Sequence, residues 1–109
     1  MSTAKPIVFV ASTDEIKGHL KNAGNDVAFV NFFSPTCGPC RLLEPILEEL
    51  ANNGAINLIR VNVNDYPEIA QEWQVNAWPT NFIFKANQQI DKITGFQPKE
   101  EWEKRLSQI

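Results

Sequence analysis

The fold of this chain is constrained most strongly by one segment, Val27–Phe33, whose sequence is VAFVNFF. The segment is almost continuously apolar, with Asn31 as its polar exception. Strands buried on both faces have this character, because they lie in the middle of a sheet that helices cover on each side. The segment therefore predicts a central strand with helices above and below it.

Helix and strand patterns alternate around this segment. The preceding residues predict a short strand at 7–10 and a helix that runs to about Lys21, in which Ser12 and Glu15 have the spacing of a capping box. A second helix is predicted after the central strand by apolar residues at helical spacing, namely Leu42, Leu43, Ile46, Leu47 and Leu50. This half of the chain therefore has the order expected of strands joined by crossover helices.

The remaining sequence predicts a strand over 56–63 and then a short helix that ends near Trp73. Two further strands are predicted over 81–85 and 89–94, joined by a turn at 86–88. A final helix is predicted to begin at 97–100. In the short helix, Asp65 is the predicted N-cap and Pro67 lies in the first turn. In the strand over 56–63, alternation places Leu58 and Ile59 on opposite faces.

The complete order, β-α-β-α-β-α-β-β-α, predicts parallel strands joined by right-handed crossovers, followed by an antiparallel hairpin. The fold class is therefore α/β, with a mixed five-stranded central sheet flanked by four helices. The chain has 109 residues and shows no repeat or linker, so we expect a single domain over 1–109.

Charge and hydropathy exclude several classes of partner. The formal net charge is -3 and the basic residues are scattered, so we expect no nucleic-acid partner and no membrane partner. The start of the chain, Met1 to Pro6, is polar and lacks the apolar segment of a secretory signal, so we expect a cytoplasmic protein. In that compartment disulfides are usually transient or catalytic.

The two cysteines of the chain form the motif Cys37-Gly38-Pro39-Cys40, which follows a strand break at 34–36. The predicted helix places Cys37 at its N-terminus, where unpaired N–H groups and the helix dipole favour a thiolate. Cys40 lies about one turn later and is expected to be more buried. Gly38 permits close approach of a substrate backbone, and Pro39 fixes φ in the first turn.

This arrangement predicts a redox site with a two-step reaction. The Cys37 thiolate attacks a substrate disulfide to form a mixed disulfide, and Cys40 then attacks Cys37 and releases the reduced substrate. The motif could also be half of a zinc site, but zinc needs about four ligands and the remaining soft ligand is His19, on a predicted surface helix. We therefore predict no metal and no cofactor.

At the cysteine motif, and at Trp78-Pro79-Thr80, Phe84-Lys85 and Gly95, the sequence resembles the thioredoxin family. The resemblance extends over roughly 7–106, and it implies a thioredoxin fold and dithiol–disulfide exchange on protein disulfide substrates. It implies a thioredoxin reductase or another thiol electron donor as partner, with roles in electron transport and cell redox homeostasis. It also implies that Pro79 is cis and lies beside the cysteines.

Three positions of the implied docking surface depart from the family. Thr36 stands where the family usually has a tryptophan before the first cysteine, Phe33 replaces another tryptophan, and Trp78 replaces the isoleucine before the cis-proline. We expect Trp78, Pro79, Thr36 and Gly95 to contact substrate. The simplest interpretation of Gly95 is that it serves backbone geometry.

Asn31 departs from the family at the active site itself. The family usually has a buried aspartate here, which is thought to shuttle a proton for the resolving thiol, whereas an asparagine cannot titrate. We expect slower resolution by Cys40 as a result. Arg60 replaces a lysine that pairs with that aspartate, and we expect the pairing to be absent. Asn31 could also simply satisfy backbone groups in the core.

The aromatic residues divide into packing and surface candidates. We expect the core to include Phe9, Phe29, Phe32, Phe82 and Phe84, with Trp73 and Trp102 packing on the sheet from helices. Trp78 is instead expected to be exposed next to Pro79 and available to a partner.

Two functional hypotheses follow, together with a narrower third one. The first is a protein disulfide reductase, acting as a monomer. The second is a binding or chaperone-like module in which Trp78, Phe33 and Pro39 form an apolar patch and redox activity is secondary. The third is an oxidant or isomerase that uses the same cysteines. Whether the patch forms a weak dimer is left open by the sequence.

Overall fold

The computed structural model describes residues 3–109, so Met1 and Ser2, which begin the polar N-terminal segment, lie outside the described residues. The elements are β1 (Ile7–Phe9), α1 (Thr13–Ala23), β2 (Val27–Phe33), α2 (Gly38–Asn52), β3 (Asn57–Asn62), α3 (Pro67–Glu72), β4 (Thr80–Lys85), β5 (Gln88–Thr94) and α4 (Lys99–Ser107). The predicted element order is confirmed. No helix within residues 3–109 is long and apolar enough to cross a membrane.

The sheet has five strands in the order β1-β3-β2-β4-β5. The strands β1, β3 and β2 run parallel to one another, whereas β4 is antiparallel to both of its neighbours. The apolar segment β2 occupies the central position, where every residue after Val27 is buried. The predicted α/β class and mixed five-stranded sheet with four helices are confirmed.

A hydrophobic core lies on each face of the sheet. Ile16 of α1 and Ile69 of α3 belong to one core together with Val30 of β2. On the other face, Leu47 of α2 and Trp102 of α4 belong to a second core together with Phe29. Alternate residues of β2 therefore enter opposite cores, as the period of a strand requires. In β3, Leu58 and Ile59 likewise enter opposite cores, which confirms the alternation predicted for this strand.

Helix α1 starts as the sequence predicts. The Ser12 hydroxyl accepts a hydrogen bond from the backbone N–H of Glu15, and the Glu15 carboxylate accepts one from the backbone N–H of Ala11. These bonds satisfy backbone donors at the helix start. The helix ends at Ala23, one residue before Gly24, which has a positive φ of 59°.

The predicted cap of α3 is wrong. The N-cap is Tyr66 rather than Asp65, and its side chain makes no capping bond. The side-chain oxygen of Asn62 organises the approach instead, because it accepts hydrogen bonds from the backbone N–H groups of Asn64 and Asp65. Pro67 begins the helix as predicted, at a position where its missing N–H has no helical acceptor to lose.

The hairpin between β4 and β5 turns through Ala86 and Asn87, with φ values of 52° and 60°. Two successive residues in the left-handed region suit the twist of a two-residue hairpin. Gln88 already belongs to β5, so the turn is one residue shorter than the sequence predicts. The predicted antiparallel pairing is confirmed.

Phe9 does not belong to the core. It is 64% exposed because it ends the three-residue edge strand β1, where the sheet has no further neighbour to cover it. Phe84 is half-buried against Trp73, whereas Phe29, Phe32 and Phe82 are buried as predicted. The aromatic pattern predicted packing correctly for the inner strands and incorrectly for the edge strand.

Candidate active site

A short hydrogen-bonded loop carries the chain from the end of β2 to the cysteines. The buried Ser34 hydroxyl accepts from the backbone N–H of Thr36 at 3.3 Å and donates to the Asn64 side chain at 3.2 Å. The backbone N–H of Cys37 donates to the Ser34 carbonyl at 3.2 Å. These bonds hold Cys37 at the N-terminus of α2 and leave Thr36 exposed.

Cys37 and Cys40 are joined by a disulfide, with their Cα atoms 5.2 Å apart. Cys37 is the N-cap of α2, and its sulfur accepts a hydrogen bond from the backbone N–H of Cys40 at 3.2 Å. Cys37 is half-buried, whereas Cys40 is only 3% exposed. The predicted contrast in burial between the two sulfurs is confirmed. A thiolate at Cys37 would face the positive end of the helix dipole.

The surface beside Cys37 is open. A methyl group placed on Gly38 would meet no atom within 4 Å, so another chain can approach this backbone closely. Gly38 and Pro39 line a groove with Arg41 and Leu42. Leu42 is 65% exposed, although it is one of the apolar residues whose spacing predicts α2. An exposed apolar side chain therefore lies in the same groove as Gly38 and Pro39.

The Trp78–Pro79 peptide bond is cis, as the family resemblance implied. The Trp78 carbonyl oxygen lies 3.6 Å from the Cys37 sulfur, and the Trp78 side chain is 39% exposed. The backbone N–H of Gly95 donates to the Pro79 carbonyl at 2.8 Å, and Gly95 has a φ of 97°, a conformation that favours glycine. Gly95 therefore serves backbone geometry at the site.

Phe33 is not part of the exposed surface. It is only 7% exposed, and the Arg60 guanidinium lies over its ring at 3.9 Å from the centroid. The prediction that Phe33 belongs to an exposed apolar patch is therefore wrong. Its other two members, Trp78 and Pro39, are both exposed.

A buried row of polar side chains crosses three strands beneath α2. Arg60, Asn31 and Asn81 are aligned in register on β3, β2 and β4. The Arg60 Nε donates to Asn31 Oδ1 at 3.2 Å, and Asn31 Nδ2 donates to Asn81 Oδ1 at 3.0 Å. The Arg60 guanidinium also forms a 3.0 Å ion pair with Glu44 of α2.

This row corrects the expectation for Arg60. The predicted absence of an ion pair between positions 60 and 31 holds, but the two side chains still bond through a neutral amide. The charge partner of Arg60 is Glu44, which stands one turn after Cys40 in α2. Asn31 is thus bonded to side chains in the core and does more than satisfy the backbone.

Glu44 and Asn81 were not singled out from the sequence. The signal for Asn81 was an amide in a buried strand, at a position that the antiparallel register pairs with Asn31. The signal for Glu44 was an acidic residue in the apolar half of α2, four positions from Cys40 on a shared helix face. Both signals depend on knowing which strands are neighbours.

The zinc hypothesis finds no ligand set in residues 3–109, where no three His, Cys, Asp or Glu side chains form a group that could hold a metal ion. His19 lies on α1, beside a small pocket that Pro6 of the N-terminal segment and Asn57 of β3 also line. The residues that line this pocket come from the N-terminal segment, β1, α1 and β3, and not from the loop that carries the cysteines.

Comparison with known proteins agrees with this geometry. The family model described as Thioredoxin matches residues 7–108. The chain is 40% identical over 81 residues to the thioredoxin of Staphylococcus saprophyticus, covering 72% of this chain and 78% of that protein. It is 41% identical over 76 residues to the thioredoxin of Staphylococcus aureus, covering 68% and 73%.

A solved structure gives the same result. A mutant thioredoxin from Halobacterium salinarum superposes with a TM-score of 0.85 at 25% identity, covering 99% of this chain and 93% of that one. The chain is therefore similar to thioredoxins in sequence and in structure. It also has a disulfide at the start of α2 and a cis-proline beside that disulfide. The chain belongs to the thioredoxin family, whose members are protein-disulfide oxidoreductases.

Proposed function

We propose that this protein reduces disulfides of other proteins, with Cys37 as the attacking thiolate and Cys40 as the resolving thiol. The observation that carries this assignment is the asymmetry of the pair at the N-terminus of α2. Cys37 is accessible and accepts the Cys40 backbone N–H, whereas Cys40 is almost fully buried. An external disulfide can reach the first sulfur but not the second.

The reaction follows from this asymmetry. The Cys37 thiolate attacks one sulfur of the substrate disulfide, and the other substrate sulfur leaves as a thiolate that takes a proton from solvent. Cys40 then loses its proton and attacks Cys37, which forms the intramolecular disulfide and breaks the bond to the substrate. Two electrons pass to the substrate, and a thioredoxin reductase or another thiol donor returns them. Gly38 and Pro39 tune the site by keeping its backbone open and its first turn rigid.

The substrate docks on the exposed surface next to the disulfide. Trp78 and Thr36 flank the cysteines, and Pro79 and Gly95 shape the backbone between them. An extended substrate segment lies along this backbone, with its disulfide at Cys37. The partly exposed indole of Trp78 offers a large apolar contact at low conformational cost.

Replacing Trp78 with alanine should raise KM for a protein substrate about tenfold and leave kcat nearly unchanged. Truncating an interface aromatic commonly costs more than about 1 kcal/mol of binding free energy, and about 1.4 kcal/mol corresponds to a factor of ten. Insulin reduction measured over a range of insulin concentrations checks this. Ile90→Ala, at an exposed apolar residue of β5, is the matched control. Equal KM values for the two variants would remove Trp78 from the docking surface.

Replacing Asn31 with aspartate should speed the resolving step. A carboxylate at this position can accept the Cys40 proton, and general-base assistance contributes roughly 10²- to 10⁴-fold where it operates. Arg60 Nε lies 3.2 Å from Asn31 Oδ1 and can hold such a carboxylate in place. The decay of a preformed mixed disulfide, followed in single-turnover experiments, measures the step. Asn57→Asp on β3 is the control. An unchanged decay rate in Asn31→Asp would contradict a role of position 31 in the resolving step.

The wider setting of the protein belongs to the same proposal. We propose a single domain over 1–109 that acts as a cytoplasmic monomer in electron transport and cell redox homeostasis, without nucleic-acid or membrane partners. The formal net charge of -3 and the scattered basic residues support the last point. Sedimentation of the oxidised and reduced protein tests the oligomeric state.

A further inference from the structure

The buried polar row beneath α2 has a fixed direction. An arginine side chain only donates hydrogen bonds, so the Asn31 oxygen must face Arg60 and the Asn31 nitrogen must face Asn81. Asn81 therefore presents its oxygen to Asn31 and its nitrogen to the other side. The row therefore begins at the Glu44 carboxylate, which accepts from Arg60, and it ends at Asn81 Nδ2, which is a donor.

Among residues 3–109, that final donor has no acceptor in the disulfide form of the protein. Asn81 is fully buried, and its Nδ2 has no hydrogen-bond partner within residues 3–109. Buried polar groups are rarely left unpaired, because desolvating them without a hydrogen bond is unfavourable. An acceptor that exists in another state of the protein would satisfy this group.

The position of Asn81 in the fold points to the Cys40 sulfur as this acceptor. Asn81 and Ile83 lie on the same face of β4, and Ile83 packs in the core beneath α2 together with Leu43. Cys40 stands one turn before Leu43 on the same side of α2. The chain just before Asn81 also reaches the disulfide, since the Trp78 carbonyl oxygen lies 3.6 Å from the Cys37 sulfur.

Cys40 changes its hydrogen-bonding character during the reaction. Its sulfur is a weak acceptor within the disulfide and a strong one as a thiolate. In apolar surroundings a thiolate is unfavourable unless donors face it. The nearly complete burial of Cys40 therefore calls for such a donor at the moment of resolution.

We propose that Asn81 Nδ2 donates a hydrogen bond to the Cys40 thiolate and stabilises it for attack on Cys37. The proposal rests on the assignment of Cys40 as the resolving thiol. The Cys40 thiol gives its proton to solvent, the thiolate forms the bond to Cys37, and the bond between Cys37 and the substrate breaks. The substrate leaves as a thiolate and takes up a proton from solvent.

This role has a consequence for the redox equilibrium. The hydrogen bond is available to the reduced protein and not to the disulfide, so it favours the reduced form when Cys40 is ionised. Removing the donor should raise the pKa of the Cys40 thiol and make the protein more readily oxidised. A purely structural role of Asn81 predicts neither change.

The test is Asn81→Leu, which keeps the side-chain size and removes the donor, together with the oxygen that accepts from Asn31 Nδ2. We expect resolution of a preformed mixed disulfide to slow about tenfold at neutral pH, the scale of one hydrogen bond to a charged group. The loss should shrink at alkaline pH, where the thiolate forms without help, while attack by Cys37 keeps its rate. Asn57→Leu is the matched control, because Asn57 bonds the Val27 carbonyl at the opposite end of the sheet. An unshifted pH profile would overturn the proposal.

A second measurement needs no variant and remains decisive if Asn81→Leu does not fold. The Asn81 side-chain amide of the unmodified protein can be followed by NMR in the oxidised and reduced states. We expect its Nδ2 proton resonances to shift with ionisation of Cys40 in the reduced protein only. Resonances that ignore the redox state would contradict the proposal. Failure of the Asn81 proposal can be distinguished from failure of the proposed function. If the proposed function is wrong, no mixed disulfide forms in the unmodified protein.

Discussion

Cys37→Ser is expected to abolish disulfide reduction while the protein remains folded. A hydroxyl does not ionise near neutral pH and cannot attack a disulfide, so the first step has no nucleophile. Serine is a favourable N-cap residue, and it can accept the Cys40 backbone N–H as the Cys37 sulfur does. Reduction of insulin disulfides driven by dithiothreitol, together with thermal unfolding of the variant, measures both parts of the prediction.

Cys40→Ser is the matched variant, because it removes the second thiol and leaves the first. It should react once with a substrate disulfide and stop as a stable mixed disulfide, which mass spectrometry detects. Turnover that survives in Cys37→Ser would contradict the assignment of the nucleophile. An inactive unmodified protein with a reducible Cys37–Cys40 bond would point to a specialised partner instead of general disulfide reduction.

Much of the architecture could be predicted because its causes are local. The apolar segment β2, the alternation of β3 and the helical spacing of α2 each encode their own burial pattern, and the order of elements then fixes a mixed sheet. The cysteine spacing at the start of a helix predicted the contrast in burial for the same reason. The cis bond before Pro79 came from family resemblance, since X-Pro sequences alone rarely decide it.

The contacts that could not be predicted join distant parts of the chain. Phe9 was expected in the core because its strand pattern is apolar, but its exposure depends on β1 lying at the sheet edge. The roles of Glu44 and Asn81 likewise depend on the register that sets Arg60, Asn31 and Asn81 side by side. Sequence periodicity reports which face of an element is buried, and it does not report which element faces it.

Trp102→Ala should lower the free energy of unfolding by about 3–5 kcal/mol, the usual range for removing a fully buried tryptophan. Trp102 packs on Phe29 with ring centroids 5.6 Å apart, and its indole N–H donates to the Gln97 carbonyl at 2.8 Å. The substitution leaves a cavity between α4 and the sheet and an unpaired carbonyl beside it. Since domains of this size are typically stable by about 5–15 kcal/mol, the loss is a large share of the total.

Urea denaturation of the unmodified protein and of Trp102→Ala measures this difference as a shift in the unfolding midpoint. Trp78→Ala is the control of identical chemistry, because the Trp78 side chain is partly exposed at the proposed docking surface. It should change stability by less than about 1 kcal/mol, as surface substitutions usually do. Trp102→Ala, assayed where it is folded, should keep the KM of the unmodified protein, whereas Trp78→Ala should not. Equal destabilisation by the two variants would contradict this separation of a core tryptophan from the exposed tryptophan that we propose to bind substrate.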